Sequence, residues 1–600
     1  MPLKKQLLLL FLCLNFSNSF AQHLLGKVVS VDLKNQNIAA ALSSISKAGN
    51  FQFSYKSDIV LEDKKVNISA NGKTVKQLLD EIFEGTFHYS EKGKYIILHS
   101  GGEKFFTISG YIQDGKTGQR ISNVTVYEDQ ILASTLTNEQ GYFKLPIRNK
   151  RKLKKIFITA RKESYSESFV DLNAGYDQEL VLPILPSSEI ILNDVVIKNE
   201  DEESSWASKF LLSSKQKIQN INIGGFIAKR PIQTSLLPGI GTHGLIGSQV
   251  VNKFSLNLLG GYTAGVNGFE MASLFNINKG NVRYFQVAGI FNAVRGNVQG
   301  FEIAGISNHI SGKVGGFQVA GISNIVRGKT GAVQVAGISN LVKDTMKGAQ
   351  IAGVVNFNSG VANGIQIAGV QNKNNGKTKG IQLSGVSNLA SDSAKGLHIS
   401  GVSNHAQKSM KGMQFSCVYN YAKNMKGFQF GLVNIADSMD GFGLGLVNYY
   451  SNGYHKIVVS SNELQSINIG FMSGTHNIYS IISFGANPGN NKAYSVSYGI
   501  GKEINLNKRL SINTEIIGYC FYIGHWDYVP LSAKIQSCLT YKIHKQFELF
   551  AGPTYTFTET KNTATSSGYM SWLQDRNIHY KQIGNTVSSW LSWQAGIRIF

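Results

Sequence analysis

The sequence predicts a mainly β protein: a small α+β domain, a β-sandwich, and then 16-residue β-repeats that form a transmembrane β-barrel. Three observations lead to this prediction. An Asn returns every sixteen residues from Asn276 to Asn420, apolar residues alternate within each repeat, and alternating segments continue after the repeats to Phe600. A fixed repeat period is the strongest guide to architecture in such a chain.

Each repeat reads like Gly316–Asn324, with a Gln, Glu or His six residues before the Asn. Alternation of apolar residues is the period of a strand. A strand of ten residues and a turn such as Arg327–Gly331 use up the unit, so no helix fits. Two copies at a spacing of fourteen, ending at Asn434 and Asn448, close the array at 251–450.

Sixteen residues allow two arrangements. In the favoured one, each repeat is a membrane-crossing strand, since about 9–11 residues cross a bilayer at a tilt, and the barrel has about twenty strands. Polar rows would then line its lumen and bind polar solutes: Gln318, Asn324, Gln334, Asn340, Gln350, Asn356, Gln366 and Asn372. The alternative is a β-solenoid plus a β-domain, which the strict spacing favours because outer loops of barrels normally vary in length.

Residues 451–600 contain seven further alternating segments, which predict the hairpins of an outer-membrane barrel: Ile467–Phe471, Tyr479–Gly485, Tyr494–Ile500, Leu510–Tyr522, Leu531–Ile543, Phe547–Phe557 and Ser588–Phe600. The last segment resembles the final strand of bacterial outer-membrane barrels, which ends in Phe. Dense aromatic residues such as Tyr519, Trp526, Trp590 and Trp593 fit an interfacial girdle.

Residues 1–21 have the three-part pattern of a signal peptide, with Lys4-Lys5, an apolar stretch and Ser19-Phe20-Ala21. The formal net charge is +22, and much of it lies in the turns of the array. In a secreted protein this charge points to anionic lipid, lipopolysaccharide or acidic glycan and not to nucleic acid. Solvated lysines that keep strand edges apart are the simpler interpretation.

Residues 22–102 alternate strand, helix and strand twice. Five short segments are the basis for comparing this part of the chain with a known domain: Val31-Asp32-Leu33, Ala39–Leu42, Phe53-Ser54-Tyr55, Val75–Leu79 and Tyr95–Leu98. This segment resembles the short N-terminal domain of secretins and TonB-dependent receptors, the STN domain. The resemblance implies a periplasmic module that contacts an anti-sigma regulator.

Residues 103–186 resemble the carboxypeptidase regulatory-like β-sandwich through Ile108–Asp114, Ile121–Val126 and Thr137–Leu145. Their turns and alternation predict about seven strands. The order of the two modules is that of many nutrient receptors of Bacteroidetes. In those receptors a segment like Ile190–Ile197 lies near the place where TonB engages, which makes Asp194, Val195, Val196 and Ile197 the TonB-contact segment here.

The linker 187–250 departs from those receptors, because it is too short to hold their plug domain. Energised import by the usual mechanism is therefore not expected. The array itself resembles a surface-repeat family first noticed in spirochaetes, a resemblance that supplies no biochemical role.

No catalytic constellation is evident, so we expect no enzyme, cofactor or metal. Gly239–Gly244 matches a dinucleotide fingerprint formally but precedes strands and is interpreted as a turn. His398 and His405 are interpreted as substituents of the array, and the three cysteines after residue 21 give no disulfide framework. The predicted function is an outer-membrane barrel with periplasmic regulatory modules for transport or ligand sensing; the alternative is a structural or adhesive surface protein that binds glycan or lipopolysaccharide.

Overall fold

The structure is a computed structural model that describes residues 23–55, 65–101, 105–149, 153–187, 211–488, 493–524, 526, 529–559, 567–584 and 586–600. The chain divides into two compact units, Met1–Gly265 and Val266–Phe600. Strands dominate both units, which confirms the mainly β fold class.

The first module of unit one has five strands and two helices. They are β1 (Val28–Asn37), α1 (Ile38–Gly49), β2 (Gln52–Ser54), β3 (Lys65–Thr74), α2 (Val75–Phe83), β4 (Phe87–Lys92) and β5 (Tyr95–Ser100). Asn37 caps α1, and Thr74 with Gln77 forms a capping box on α2, which fixes where both helices begin. Both predicted helices are confirmed, and their apolar faces form one core with the strands.

The second module is a sandwich of seven strands, as predicted: β6 (Phe105–Asp114), β7 (Thr125–Glu128), β8 (Ala133–Leu136), β9 (Tyr142–Arg148), β10 (Lys155–Arg161), β11 (Ser168–Asn173) and β12 (Gln178–Ile184). One sheet has the order β11-β10-β7-β8 and the other β12-β6-β9. Inward residues such as Ile108, Phe143 and Ile158 fill the space between the sheets.

The last part of unit one contains α3 (Ser214–Asn222), β13 (Ala228–Leu237), β14 (Ile240–Gly241), β15 (Val250–Asn257) and β16 (Gly260–Thr263). The side chain of Asn222 on α3 donates to the Asn123 carbonyl and to Thr125 Oγ1 at 2.8 and 3.0 Å, which ties the helix to the sandwich. Strands β13 and β15 pair in parallel.

The repeats form a solenoid of parallel, in-register strands. Its strands are β17 (Gly265–Ala272), β18 (Phe275–Asn278), β19 (Val282–Ala288), β20 (Phe291–Val294), β21 (Val298–Ala304), β22 (Ser307–Ile310), β23 (Val314–Ala320), β24 (Ser323–Val326), β25 (Val333–Ala336), β26 (Ser339–Val342), β27 (Met346–Ala352), β28 (Val355–Asn358), β29 (Ala362–Ala368), β30 (Gln371–Asn374), β31 (Thr378–Ser384), β32 (Ser387–Ala390), β33 (Ala394–Ser400), β34 (Ser403–Ser416), β35 (Tyr419–Phe430), β36 (Val433–Leu444) and β37 (Val447–Tyr450). Residues sixteen apart stack on each other, as Asn324 does on Asn340.

The favoured arrangement, in which each repeat is one barrel strand, is therefore wrong, and the solenoid alternative is correct. The chain bends at Gly321-Ile322, which splits each unit into a long strand such as β23 and a short strand such as β24. Each strand then pairs in parallel with its equivalent in the next coil. Barrel strands of a meander would pair antiparallel.

The C-terminal segment forms a closed barrel of eight antiparallel strands: β38 (Tyr454–Ser461), β39 (Ile467–Gly474), β40 (Tyr479–Asn487), β41 (Ala493–Asn505), β42 (Leu510–Tyr522), β43 (Leu531–His544), β44 (Phe547–Glu559) and β46 (Val587–Ile599). Pairing of β38 with β46 closes it. The connection before β46 holds α4 (Ser567–Asp575) and the short β45 (Lys581–Ile583). All seven predicted segments are strands, but the barrel has eight strands and not about twenty, because the repeats contribute none.

Candidate functional site

The barrel has apolar residues outside and polar residues inside. Along β43 the outward side chains include Leu531, Ile535 and Leu539, which are 45–55% exposed. The residues between them, such as Lys534 and Gln536, are buried inside the barrel. A soluble barrel has the opposite polarity, since water favours polar groups on the surface.

The buried charges inside the barrel are paired. Lys456 Nζ lies 2.7 Å from Glu548 and 3.3 Å from Glu503. Arg598 contacts Glu515 at 3.0 Å and also donates to Asn513 at 2.6 Å. A buried ion is tolerated when a partner and further hydrogen bonds compensate its lost hydration. These contacts fill the interior with a neutralised polar network.

Side chains close the barrel interior. A void lined by Val458, Glu515 and Gln536 measures about 20 Å³, room for about one water molecule. At one end, Tyr569 and Trp572 of α4 pack on Phe521, and Tyr569 accepts a hydrogen bond from Thr558 at 3.2 Å. The barrel is thus a filled cylinder with α4 across one mouth.

The two barrel ends carry different connections. At one end residues 475–478, 506–509 and 545–546 form tight turns of four, four and two residues. At the other end the connections run from five residues, at 462–466, to the long segment 560–586 that contains α4. Outer-membrane barrels have the same asymmetry, with short turns in the periplasm and long loops outside the cell.

The eight residues predicted to line a barrel lumen lie instead inside the solenoid, where all are 0–2% exposed. Each Asn of the row donates both amide hydrogens to the next coil: Asn324 Nδ2 lies 2.9 Å from Asn340 Oδ1 and 2.9 Å from the Val335 carbonyl. The row ends where Asn448 Nδ2 donates to Ser480 of the barrel at 2.8 Å. The Asn side chains therefore fix the register of each coil on the next.

The Gln row runs beside the Asn row, and Glu302 and His398 are two of the residues that replace Gln in it. From Gln334 to Gln382 each Nε2 donates to the preceding Gln Oε1 at 2.7–2.9 Å. Glu302 interrupts this pattern: its Oε2 accepts from Gln318 at 2.6 Å, whereas its Oε1 and Gln286 Oε1 are both buried without a partner. Burial raises the pKa of Glu302 to about 8. Burial likewise lowers the pKa of His398 to about 4.

The outer face of the solenoid carries a continuous apolar strip. Its main row lies at the corner between the long and short strands, and its members are 36–48% exposed: Leu274, Ile290, Ile306, Ile322, Ile338, Val354, Val370, Val386, Val402, Val418, Leu432 and Leu446. A second outward row on the long strands widens it, with Ile303, Val319, Ile351, Ile367 and Ile399. We call these two rows the apolar strip.

A row of cations borders the apolar strip at the start of the long strands. Its exposed members are Arg283, Lys347, Lys379, Lys395, Lys411 and Lys426, and we call them the basic edge. Lys426 pairs with Asp440 at 2.8 Å. The solenoid therefore presents an apolar face beside a line of positive charge.

The last coil of the solenoid packs on the outer wall of the barrel. The backbone N–H of Asn448 donates to Ser473 Oγ at 3.0 Å, and the Tyr498 hydroxyl donates to the Gly445 carbonyl at 3.1 Å. Tyr498 projects outward from β41. The apolar strip, which ends at Leu446, thus reaches the apolar exterior of the barrel.

Other predicted features give no site. The TonB-contact segment Asp194–Ile197 lies outside the described residues. Gly239–Gly244 forms the turn to β14 and a 3₁₀ segment, as expected for a turn. Within the described ranges, no group of three or more His, Cys, Asp or Glu side chains is arranged to hold a metal ion, and no helix there is long and apolar enough to cross a membrane.

Sequence comparison with known protein families and with curated proteins found no match. The polarity of the barrel and the apolar strip, neither of which depends on a relative, are the two features that bear on function.

Proposed function

We propose that the protein resides in the bacterial outer membrane, where the C-terminal barrel is a lipid-embedded anchor. The reversed polarity of the barrel carries this proposal: outward residues such as Leu539 are apolar and exposed, whereas the inner charges are paired. An even number of antiparallel strands with an apolar exterior is typical of such anchors. The strands contain 8–14 residues, which brackets the length needed to cross a bilayer.

The role we propose is sensing or organisation of the envelope and not passage of solutes. A filled interior, with α4 across one mouth, supports an anchor better than a pore. The tight turns would face the periplasm. The solenoid joins the barrel at the tight-turn end, through the short link before Tyr454, so the solenoid and the N-terminal modules would lie in the periplasm as well.

The partners in this proposal follow from that placement. The barrel contacts outer-membrane lipid, and the STN-like module would contact an anti-sigma regulator, as its resemblance implies. TonB is a weaker candidate, because a filled barrel offers TonB no solute path to energise.

One pair of substitutions tests the anchor. Leu539→Arg places a charge at the middle of β43 on the outer wall, and Leu506→Arg places the same charge in a tight turn, where Leu506 is 56% exposed. Arg facing lipid costs about 2–4 kcal/mol at mid-membrane and about 0–1 kcal/mol near its surface. We expect only L539R to lose folding into lipid vesicles, measured by the heat-dependent shift of its band in a gel. Equal folding of both variants would contradict a lipid-embedded barrel.

The alternative is an adhesive surface protein, and one observation favours it: the solenoid carries the basic edge. Salt-sensitive binding of the whole chain to lipopolysaccharide or an acidic glycan, lost when Lys379 and Lys395 become Gln, would support it.

A further inference from the structure

The apolar strip is as large as the apolar patches that mark binding surfaces on soluble proteins. Twelve coils stacked about 4.8 Å apart give it a length of roughly 50 Å, and with a width of roughly 10 Å it covers on the order of 500 Å². The largest patch on a soluble monomer is about 300–600 Å² and is often functional. A strip of this size on a regular surface indicates a partner that is itself extended and apolar.

The charge beside the strip selects the kind of partner. The basic edge puts Lys347, Lys379, Lys395 and Lys411 in one line, four residues along the same strands from the second row of the apolar strip. Described acidic residues are sparse there, and Asp440 already pairs with Lys426. A second copy of the chain would bring the same excess of cations and few carboxylates to pair with this line. Anionic phosphates above acyl chains match both features.

The position of the strip agrees with that partner. The last coil sits on the outer wall of the barrel, bonded to Ser473, Ser480 and Tyr498. If that wall faces lipid, Leu446 and the rows behind it begin at the depth of the membrane. Ser473 and Ser480 flank the tight turn 475–478, so their bonds to the last coil are at the end of the barrel that would face the periplasm.

We propose that the apolar strip lies in the phospholipid of the periplasmic leaflet of the outer membrane, with the basic edge among the headgroup phosphates. This proposal rests on the proposed membrane anchor. It makes the solenoid a rod that extends along the membrane from the barrel wall, so that lipid covers the strip. Apolar burial and attraction to anionic headgroups together give such interfacial binding.

Site-directed fluorescence in vesicles tests the proposal with the whole chain. An environment-sensitive label is attached at Ile338→Cys or Val370→Cys, with Lys343→Cys in a basic turn as the matched control. The exposed Cys417 and Cys520 are changed to Ser in these variants, whereas Cys538 is buried and Cys13 lies in the predicted signal peptide. A variant in which Cys417 is changed to Ser and Cys520, on the outer wall of the barrel, carries the label reports insertion of the anchor. The vesicles contain phosphatidylcholine brominated on its acyl chains and anionic phosphatidylglycerol.

We expect the labels at 338 and 370 to lose as much fluorescence to brominated lipid as the label at Cys520, and the label at 343 to lose little. If Cys520 is quenched but 338 and 370 are not, the strip does not contact lipid and the proposal fails while the anchor stands. Quenching by aqueous iodide then identifies the alternative. If iodide quenches the labels at 338 and 370, the strip is in water; if it does not, protein such as a second copy covers the strip. If Cys520 is not quenched either, the anchor itself is contradicted.

Discussion

Glu302→Gln is expected to stabilise the solenoid, and more so as the pH rises. Glu302 is fully buried in a row that otherwise carries Gln from 286 to 382, and burial raises its pKa from 4.5 to about 8. Between these values the unfolded chain ionises while the native carboxyl keeps its proton. The stability that the protonated Glu302 contributes to the wild-type solenoid is therefore fully present below pH 4.5 and is lost as the pH rises towards 8.

The size of the effect follows from that pKa. Each pH unit above 4.5 costs about 1.4 kcal/mol of the free energy of unfolding, or about 3 kcal/mol at pH 7. Gln removes this cost, and its Nε2 could donate to Gln286 Oε1, now without a partner, as Gln334 does to Gln318 at 2.7 Å. We expect E302Q to slow local opening of the coils around residue 302 by about a hundredfold at pH 7.

Hydrogen exchange of full-length protein, corrected for the intrinsic effect of pH, measures this directly. Peptides that cover residues 298–320 should differ little between the two proteins at pH 5 and increasingly up to pH 8. Peptides around Gln366 should not change, because coils interact mainly with their neighbours. Asp437→Asn, which removes an exposed carboxyl of the same solenoid, should have no effect. Equal protection of wild type and E302Q at pH 8 would show that the carboxyl carries no such cost.

Three further predictions concern the solenoid and the barrel. Gly316→Ala should lower the free energy of unfolding by about 3 kcal/mol, because φ is +109° and an added Cβ would collide with the Gly300 carbonyl oxygen. Gly315→Ala, with open space beside it, should change that free energy by less than about 1 kcal/mol. Urea unfolding compares the two variants, and similar midpoints would argue against the stacking. Asn340→Ala removes the hydrogen bonds that Asn340 donates to Asn356 and to the Ile351 carbonyl, and should lower the free energy of unfolding by about 2–4 kcal/mol in the same assay. The exposed Asn363→Ala should be near neutral. Equal losses in the two variants would contradict a stabilising role of the Asn row. Planar bilayers containing the protein should show no steady ion conductance, and a stable open level would refute the filled interior.

The sequence predicted the strands well but not how the repeats pair. Alternation places Ile322 on the same face as Gln318 and Asn324, yet the structure exposes Ile322 and buries the other two. The bend at Gly321-Ile322 turns Ile322 outward, and because it takes up two residues, Ala320 before it and Asn324 after it both still face inward. Pairing between coils is a long-range property, and the local pattern of a strand is the same in a meander and in a solenoid.

The invariant spacing was the signal that could have decided between them. An amide ladder requires equivalent residues to face each other in adjacent coils, which a constant spacing favours, although Asn420 still donates to Asn434 at 2.9 Å where the spacing falls to fourteen. The barrel was easier to predict, since its seven segments alternate strongly. Strand β38 was not predicted because its apolar residues do not alternate: Ile457, Val458 and Val459 follow one another, with Val458 inward and its neighbours outward. The apolar strip was invisible because its rows are adjacent only once the coils stack.

The seat of the last coil on the barrel has a consequence for self-assembly. A stack of parallel strands ends in a row of unpaired backbone groups, and such an edge can recruit further chains as a growing fibre does. Here β37 packs on the barrel wall, and the backbone N–H of Asn448 donates to Ser473 Oγ. The barrel thus also covers the end of the solenoid. In a chain that reached the periplasm without a folded barrel, the unpaired edge of β37 would be exposed and could pair with the strands of another chain.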